Sequence, residues 1–128
     1  MDDRFRFALI AHDGKKPEMV AFVLQQRRLL ERAQLFATGT TGTHIERAGI
    51  PVVKLLSGPK GGDAQIASMV ATGQLDLVFF FRDPLAKHPH EPDVQMLMRI
   101  CDVHNVPLAT NPACAMLLLK AMSGEDTD

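Results

Sequence analysis

Leu75-Asp76-Leu77-Val78-Phe79-Phe80-Phe81 is apolar at every position but one, over a length that suits a strand better than a helix. A half-solvated strand alternates apolar with polar residues. This one reads as covered on both faces, the mark of a parallel sheet between two layers of helices. The flanking sequence supplies such helices. Ala64 to Thr72 reads as a helix stopped by Gly73, and Asp93 to His104 reads as another after a proline-rich loop from Asp83 to Pro92.

The same alternation runs through the rest of the chain. Phe5 to Ala11 is an apolar strand, and Pro17 to Arg32 places Val20, Val23, Leu24 and Leu30 at helical spacing after a first-turn proline. Leu35 to Thr38 gives a second strand, and Thr41 to Ala48 a short helix closed by Gly49. Val52 to Leu56 is the third strand, Leu75 to Phe81 the fourth and Val106 to Ala109 the fifth, with Pro112 to Met122 as the last helix. The expected fold is α/β: one three-layer, doubly wound domain over residues 1–128 with a five-stranded parallel sheet and a polar tail from about Ser123 to Asp128.

Composition narrows the function. A net charge of -1 with both signs interspersed gives no field that would draw the chain to nucleic acid or anionic lipid. No apolar run approaches the length of a membrane span, and the charged start Met1-Asp2-Asp3-Arg4 is unlike a signal peptide, so a cytoplasmic location is expected. Cys101 and Cys114 are too far apart for a C-x-x-C motif and lie in apolar helical segments, which predicts buried, reduced thiols.

Parallel α/β sheets bind ligands beyond the carboxyl ends of their strands. Polar residues crowd that rim: His12-Asp13 after the first strand, Thr38 to Gly42 after the second, Ser57 to Asp63 after the third, Arg82-Asp83 after the fourth and Thr110-Asn111 after the fifth. Thr38-Gly39-Thr40-Thr41-Gly42 lacks the lysine and spacing of a P-loop. It is either a phosphate cradle of amides and hydroxyls at a helix start or a plain threonine-capped turn. Lys16 either adds positive charge to that site or is a solvated helix-start lysine. Gly61 and Gly62 let backbone and ligand approach closely, and Asp63 after them is either a helix cap or a base beside the anion. His88-Pro89-His90 lacks a third ligand at recognisable spacing, so a metal-free loop is expected. His90 is a candidate donor to an oxyanion, and Asp93 either orients it or caps its helix. Asp83 before Pro84 is a turn former first.

Taken together, these motifs resemble the methylglyoxal synthase family from about Ala8 to Leu119. They are Ala11-His12-Asp13, Ala37 to Gly42, Leu56-Ser57-Gly58-Pro59 with Gly61-Gly62-Asp63, Phe80-Phe81 before Asp83-Pro84-Leu85, Pro89-His90 with Pro92-Asp93-Val94, and Ala109-Thr110-Asn111. The resemblance implies a Rossmann-like fold and a carbon-oxygen lyase that turns dihydroxyacetone phosphate into methylglyoxal and inorganic phosphate without metal or organic cofactor. By the same resemblance Asp63 is the base. His12, Lys16, Thr38, Gly39, Thr40, Thr41, Ser57, Gly58 and His90 bind substrate, and His90, Asp93, Asp13 and Asp83 support the chemistry. A homohexamer inhibited by phosphate is implied in the same way. The competing reading is a non-catalytic regulatory module of the same fold, as at the allosteric end of carbamoyl-phosphate synthetase. Such a module needs the phosphate cradle but not Asp63, His90 and Asp93.

Overall fold

The computed structural model describes residues 4–85 and 91–124. Its strands are β1 (Arg6–Ala11), β2 (Gln34–Ala37), β3 (Val53–Lys54), β4 (Leu77–Phe81) and β5 (Leu108–Ala109), all parallel in the order β3-β2-β1-β4-β5. The helices are α1 (Lys16–Gln25), α2 (Arg27–Leu30), α3 (Gly39–Arg47), α4 (Gly62–Ala71), α5 (Glu91–Val103) and α6 (Pro112–Ser123). The chain builds outward from β1 to β3, then crosses back to place β4 on the other side of β1. The carboxyl ends of β1 and β4 therefore flank the point where the winding direction reverses.

The two-residue period of the central strands explains the three layers. Phe7, Leu9 and Ala11 of β1, with Leu77, Phe79 and Phe81 of β4, pack with Met19, Phe22, Ile45 and Leu119 on one face. Ala8, Ile10, Val78 and Phe80 point the other way and pack with Ile66, Val70, Val94, Leu97 and Cys101 of α4 and α5. All five residues of β4 are buried, as its unbroken apolar run predicts. Phe79 is the pivot of the first layer, with ring centroids 5.8 Å from Phe7 and 5.6 Å from Phe22. Edge-to-face packing of such rings adds to what area burial alone supplies.

Several boundaries differ from expectation, each for a local reason. The helix expected over Pro17 to Arg32 breaks at Gln26 (φ -103°, ψ 21°), because the buried face of Met19, Phe22 and Val23 would next present Gln26 and Arg27. Leu24, which falls at helical spacing with Val20, Val23 and Leu30, is 44% exposed. The fourth strand starts two residues late, since the Asp76 carboxylate accepts the Arg6 amide (2.8 Å) before the β1 ladder begins. The fifth is shortened because the Val106 amide donates to Cys101 at the end of α5 and Pro107 has no amide to give. The third is an exposed two-residue edge, which also limits its exposure to pairing with other chains. Cys114 is half-buried, whereas Cys101 is fully buried, and both are free thiols.

Burial pushes the Cys101 thiol up from 9.0 to about 11, with the adjacent Asp102 charge adding to the shift. An unfolded chain releases this proton near the ordinary value, while the folded chain holds it until about 11, so the unfolded state binds fewer protons between the two. Folding stability should therefore fall as pH rises from about 9 to about 11, by about 2 to 3 kcal/mol at full titration. Urea unfolding across that range should show a steeper decline for the native chain than for Cys101→Ala; parallel declines would refute the assignment.

Candidate active site

Three loops at the carboxyl rim enclose a cleft of about 290 Å³. The end of β1 contributes Ile10, Ala11, Asp13 and Lys16; the start of α3 contributes Thr38, Thr40 and Thr41; and the loop after β3 contributes Ser57, Gly58, Pro59 and Asp63. Its size lies at the small end for ligand sites, which suits a small molecule. A larger cavity of about 390 Å³, lined by Phe5, Phe7, Leu29 and Leu119 among others, opens where β1 begins and contains none of the candidate residues.

One wall is electropositive by construction. Thr38 precedes α3 in an extended conformation, so the Thr40 and Thr41 amides in the first turn have no preceding helical carbonyl to bond. The aligned peptide dipoles of α3 add partial positive charge at the same end. Thr41 is 2% exposed, and its hydroxyl has no hydrogen-bond partner among the described residues. A buried hydroxyl without a partner is costly, and an oxygen-rich ligand in the cleft would satisfy it. Lys16 supplies a full charge: its Nζ donates to the Ala11 carbonyl (3.2 Å) and to the Asp13 carboxylate (2.6 Å). The Asp13 side chain is 93% exposed while that of Lys16 is 13% exposed, so Asp13 steadies the ammonium from the solvent side.

Asp63 lines the same cleft. It is not the cap of α4: that position belongs to Gly61, in the left-handed region at φ 111°, and Asp63 is the second residue of the helix. Its carboxylate is buried and lies against the bare Cα of Gly58, where a Cβ would stand 3.4 Å and 3.5 Å from its two oxygens. Gly62 is required by contact rather than by φ, because a Cβ there would collide with the Leu56 carbonyl oxygen.

His12, between Ala11 and Asp13 just after β1, is not among the residues that line the cleft, and neither is Asp83. The His12 amide donates to the Phe81 carbonyl (3.1 Å), its ring stacks edge-on to Phe80, and its Nδ1 accepts the Asp83 amide (3.0 Å). A ring nitrogen that accepts a main-chain N–H carries no proton, so the neutral imidazole is held with its proton on Nε2. Asp83 acts here through its backbone, while its side chain accepts the Leu85 amide in a turn, as its place before Pro84 suggests.

Of the residues singled out by sequence, Asp13, Lys16, Thr38, Thr40, Thr41, Ser57, Gly58 and Asp63 share the cleft, and Gly39 lies between two of its lining residues. His90 lies outside the described residues. Asp93 is in the first turn of α5. Asn111 instead caps α6, accepting the Cys114 amide at 2.9 Å. Sequence reading missed Pro59, Ile10 and Ala11 as lining, and it missed Gln65, whose Oε1 accepts the Leu56 amide at 2.8 Å. No sequence pattern marks a glutamine for such a bond. Among the described residues no three His, Cys, Asp or Glu side chains gather as a metal site would require.

The MGS-like domain profile matches residues 18–110. A methylglyoxal synthase of Moorella thermoacetica is 58% identical over 118 residues, covering 91% of this chain and 92% of that protein. The chain belongs to the methylglyoxal synthase family. Another family member, from Carboxydothermus hydrogenoformans, is 56% identical over 119 residues, covering 92% of this chain and 98% of its own length. The crystal structure of methylglyoxal synthase from Elizabethkingia anophelis superposes with a TM-score of 0.87 at 43% identity, covering 93% of this chain and 79% of that one. The parallel five-stranded α/β architecture is thus that of the methylglyoxal synthase family.

The bond from Asp83 to His12 makes a spectroscopic prediction. In nitrogen-15 spectra of the folded protein near neutral pH, Nδ1 of His12 should resonate as an unprotonated ring nitrogen and Nε2 as a protonated one. The reverse assignment would mean that the Asp83 amide does not hold the ring.

Proposed function

We propose that the chain is a carbon-oxygen lyase that converts dihydroxyacetone phosphate to methylglyoxal and inorganic phosphate. The observation that carries this reading is a buried carboxylate, Asp63, in the same cleft of about 290 Å³ as the start of α3. Membership in the methylglyoxal synthase family supplies the substrate.

In this reading the phosphate of the substrate sits at the start of α3. The amides and hydroxyls of Thr38, Gly39, Thr40 and Thr41 bind it together with Ser57, Gly58 and the Lys16 ammonium. Asp63 removes a proton from the hydroxymethyl carbon, and the electrons of that bond form an enediolate with the neighbouring carbonyl. His12, donating from Nε2, and His90 stabilise the enediolate oxygens as charge develops. Asp93 orients His90, Asp83 orients His12 through its amide, and Asp13 orients Lys16.

Elimination then follows from geometry. When the bond from carbon to phosphate oxygen stands perpendicular to the enediolate plane, the π electrons overlap it and expel phosphate. The product is the enol of methylglyoxal, which takes up a proton at carbon to become the ketoaldehyde. Held in the plane, the same bond would survive and the enediolate would only be reprotonated. The phosphate cradle therefore selects the reaction by fixing one torsion, which is catalysis by positioning.

The same cradle accepts inorganic phosphate, so the product is also a competitive inhibitor in this proposal. A cytoplasmic homohexamer completes it. No helix among the described residues is long and apolar enough to cross a membrane.

Asp63→Asn separates chemistry from binding. Methylglyoxal formation should fall by about 10²- to 10⁴-fold or more, as for loss of a positioned base, while inorganic phosphate binds with nearly native affinity. Near-normal turnover in that variant would remove Asp63 as the base.

A further inference from the structure

The segment Leu56-Ser57 ties the starts of α3 and α4 together. The Leu56 carbonyl accepts the Gly39 amide (3.1 Å), at the first residue of α3. The Ser57 carbonyl accepts the Gly62 amide (2.8 Å), at the first residue of α4. The other main-chain polar group of Leu56, its N–H, donates to Gln65 Oε1 at 2.8 Å. Gln65 lies on α4 two residues after Asp63, so the helix that carries the carboxylate also grips the loop that presents Ser57 and Gly58.

We infer that Gln65 is a positioning residue that sets the distance and angle between Asp63 and the phosphate cradle, and so the fraction of enediolate that eliminates phosphate. The inference rests on the proposed reaction. Leu56 is 51% exposed and Gln65 is exposed, so water can replace the lost acceptor when the side chain is cut back. Loss of the bond therefore loosens geometry with little loss of fold. Proton removal tolerates such loosening, since it needs only contact between Asp63 and one carbon. Elimination does not, because the phosphate torsion must stay perpendicular to the enediolate plane. An enediolate that fails to eliminate is reprotonated. Return of the proton at the original carbon restores the substrate, and protonation at the former carbonyl carbon gives the isomeric aldehyde, glyceraldehyde 3-phosphate, with no atom gained or lost.

The test runs dihydroxyacetone phosphate in deuterated water with the native chain, Gln65→Leu and Gln65→Glu, the last of which keeps an acceptor for the Leu56 amide. Methylglyoxal, glyceraldehyde 3-phosphate and deuterium in recovered substrate are measured together. Gln65→Leu should lower kcat for methylglyoxal by roughly tenfold, the scale expected of a small misplacement, and raise the ratio of exchanged and isomerised triose phosphate to methylglyoxal by a similar factor. Its thermal midpoint should stay close to native, and Gln65→Glu should restore the native ratio. An unchanged ratio in Gln65→Leu, or a Gln65→Glu ratio like that of Gln65→Leu, overturns the inference while leaving the lyase reading intact. If the native chain makes no methylglyoxal, that reading fails by itself. The positioning role is then judged by inorganic phosphate titration, where affinity weakened several-fold in Gln65→Leu but not in Gln65→Glu supports it and equal affinities overturn it.

Discussion

The site depends on one close crossing of backbone, where Leu56 and Ser57 pass between the starts of α3 and α4. Two main-chain bonds fix it: Gly39 to Leu56 at 3.1 Å and Gly62 to Ser57 at 2.8 Å. Both glycines are tightly enclosed, and a Cβ on Gly62 would strike the Leu56 carbonyl. The crossing brings an electropositive helix start within one small cleft of a buried carboxylate. Neither part would do much alone. A helix start by itself is a general anion site, and a carboxylate by itself is a general surface group.

The sheet behind the crossing keeps it in place. β1 and β4 are buried on both faces, and their carboxyl ends lead directly into Asp13, Lys16, His12 and Asp83. Because every strand is parallel, five loops leave from the same rim, and three of them build the cleft. The fourth contributes through an amide, holding His12 in one tautomer. Rigid strands beneath and bonded main chain above are what a positional mechanism needs, since a torsion can be selected only by groups that do not follow the ligand.

Most of this was legible in the sequence, and the parts that were not share a cause. The unbroken apolar run of β4 and the alternation of strand and helix signals led to the correct architecture, and the rim residues followed from it. Expected strand ends failed where a main-chain amide donates elsewhere, as that of Val106 does to α5 and that of Arg6 to the Asp76 side chain, or where there is no amide, as at Pro107. Leu24 fits a helical period yet faces out, because the period says which residues share a face and not which face meets the sheet. Asp63 could be read as a cap or as a base; only the left-handed Gly61 just before α4 decides that the cap lies elsewhere. Gln65 was invisible because a side chain bonded to main chain nine residues away leaves no periodic or compositional trace.

The most direct test of the central claim is stoichiometric. Purified protein incubated with dihydroxyacetone phosphate should release methylglyoxal and inorganic phosphate in equal amounts, at equal rates, because one bond cleavage makes both. Binding of the triose phosphate with release of neither product would contradict the account and point to a ligand-sensing module of the same fold.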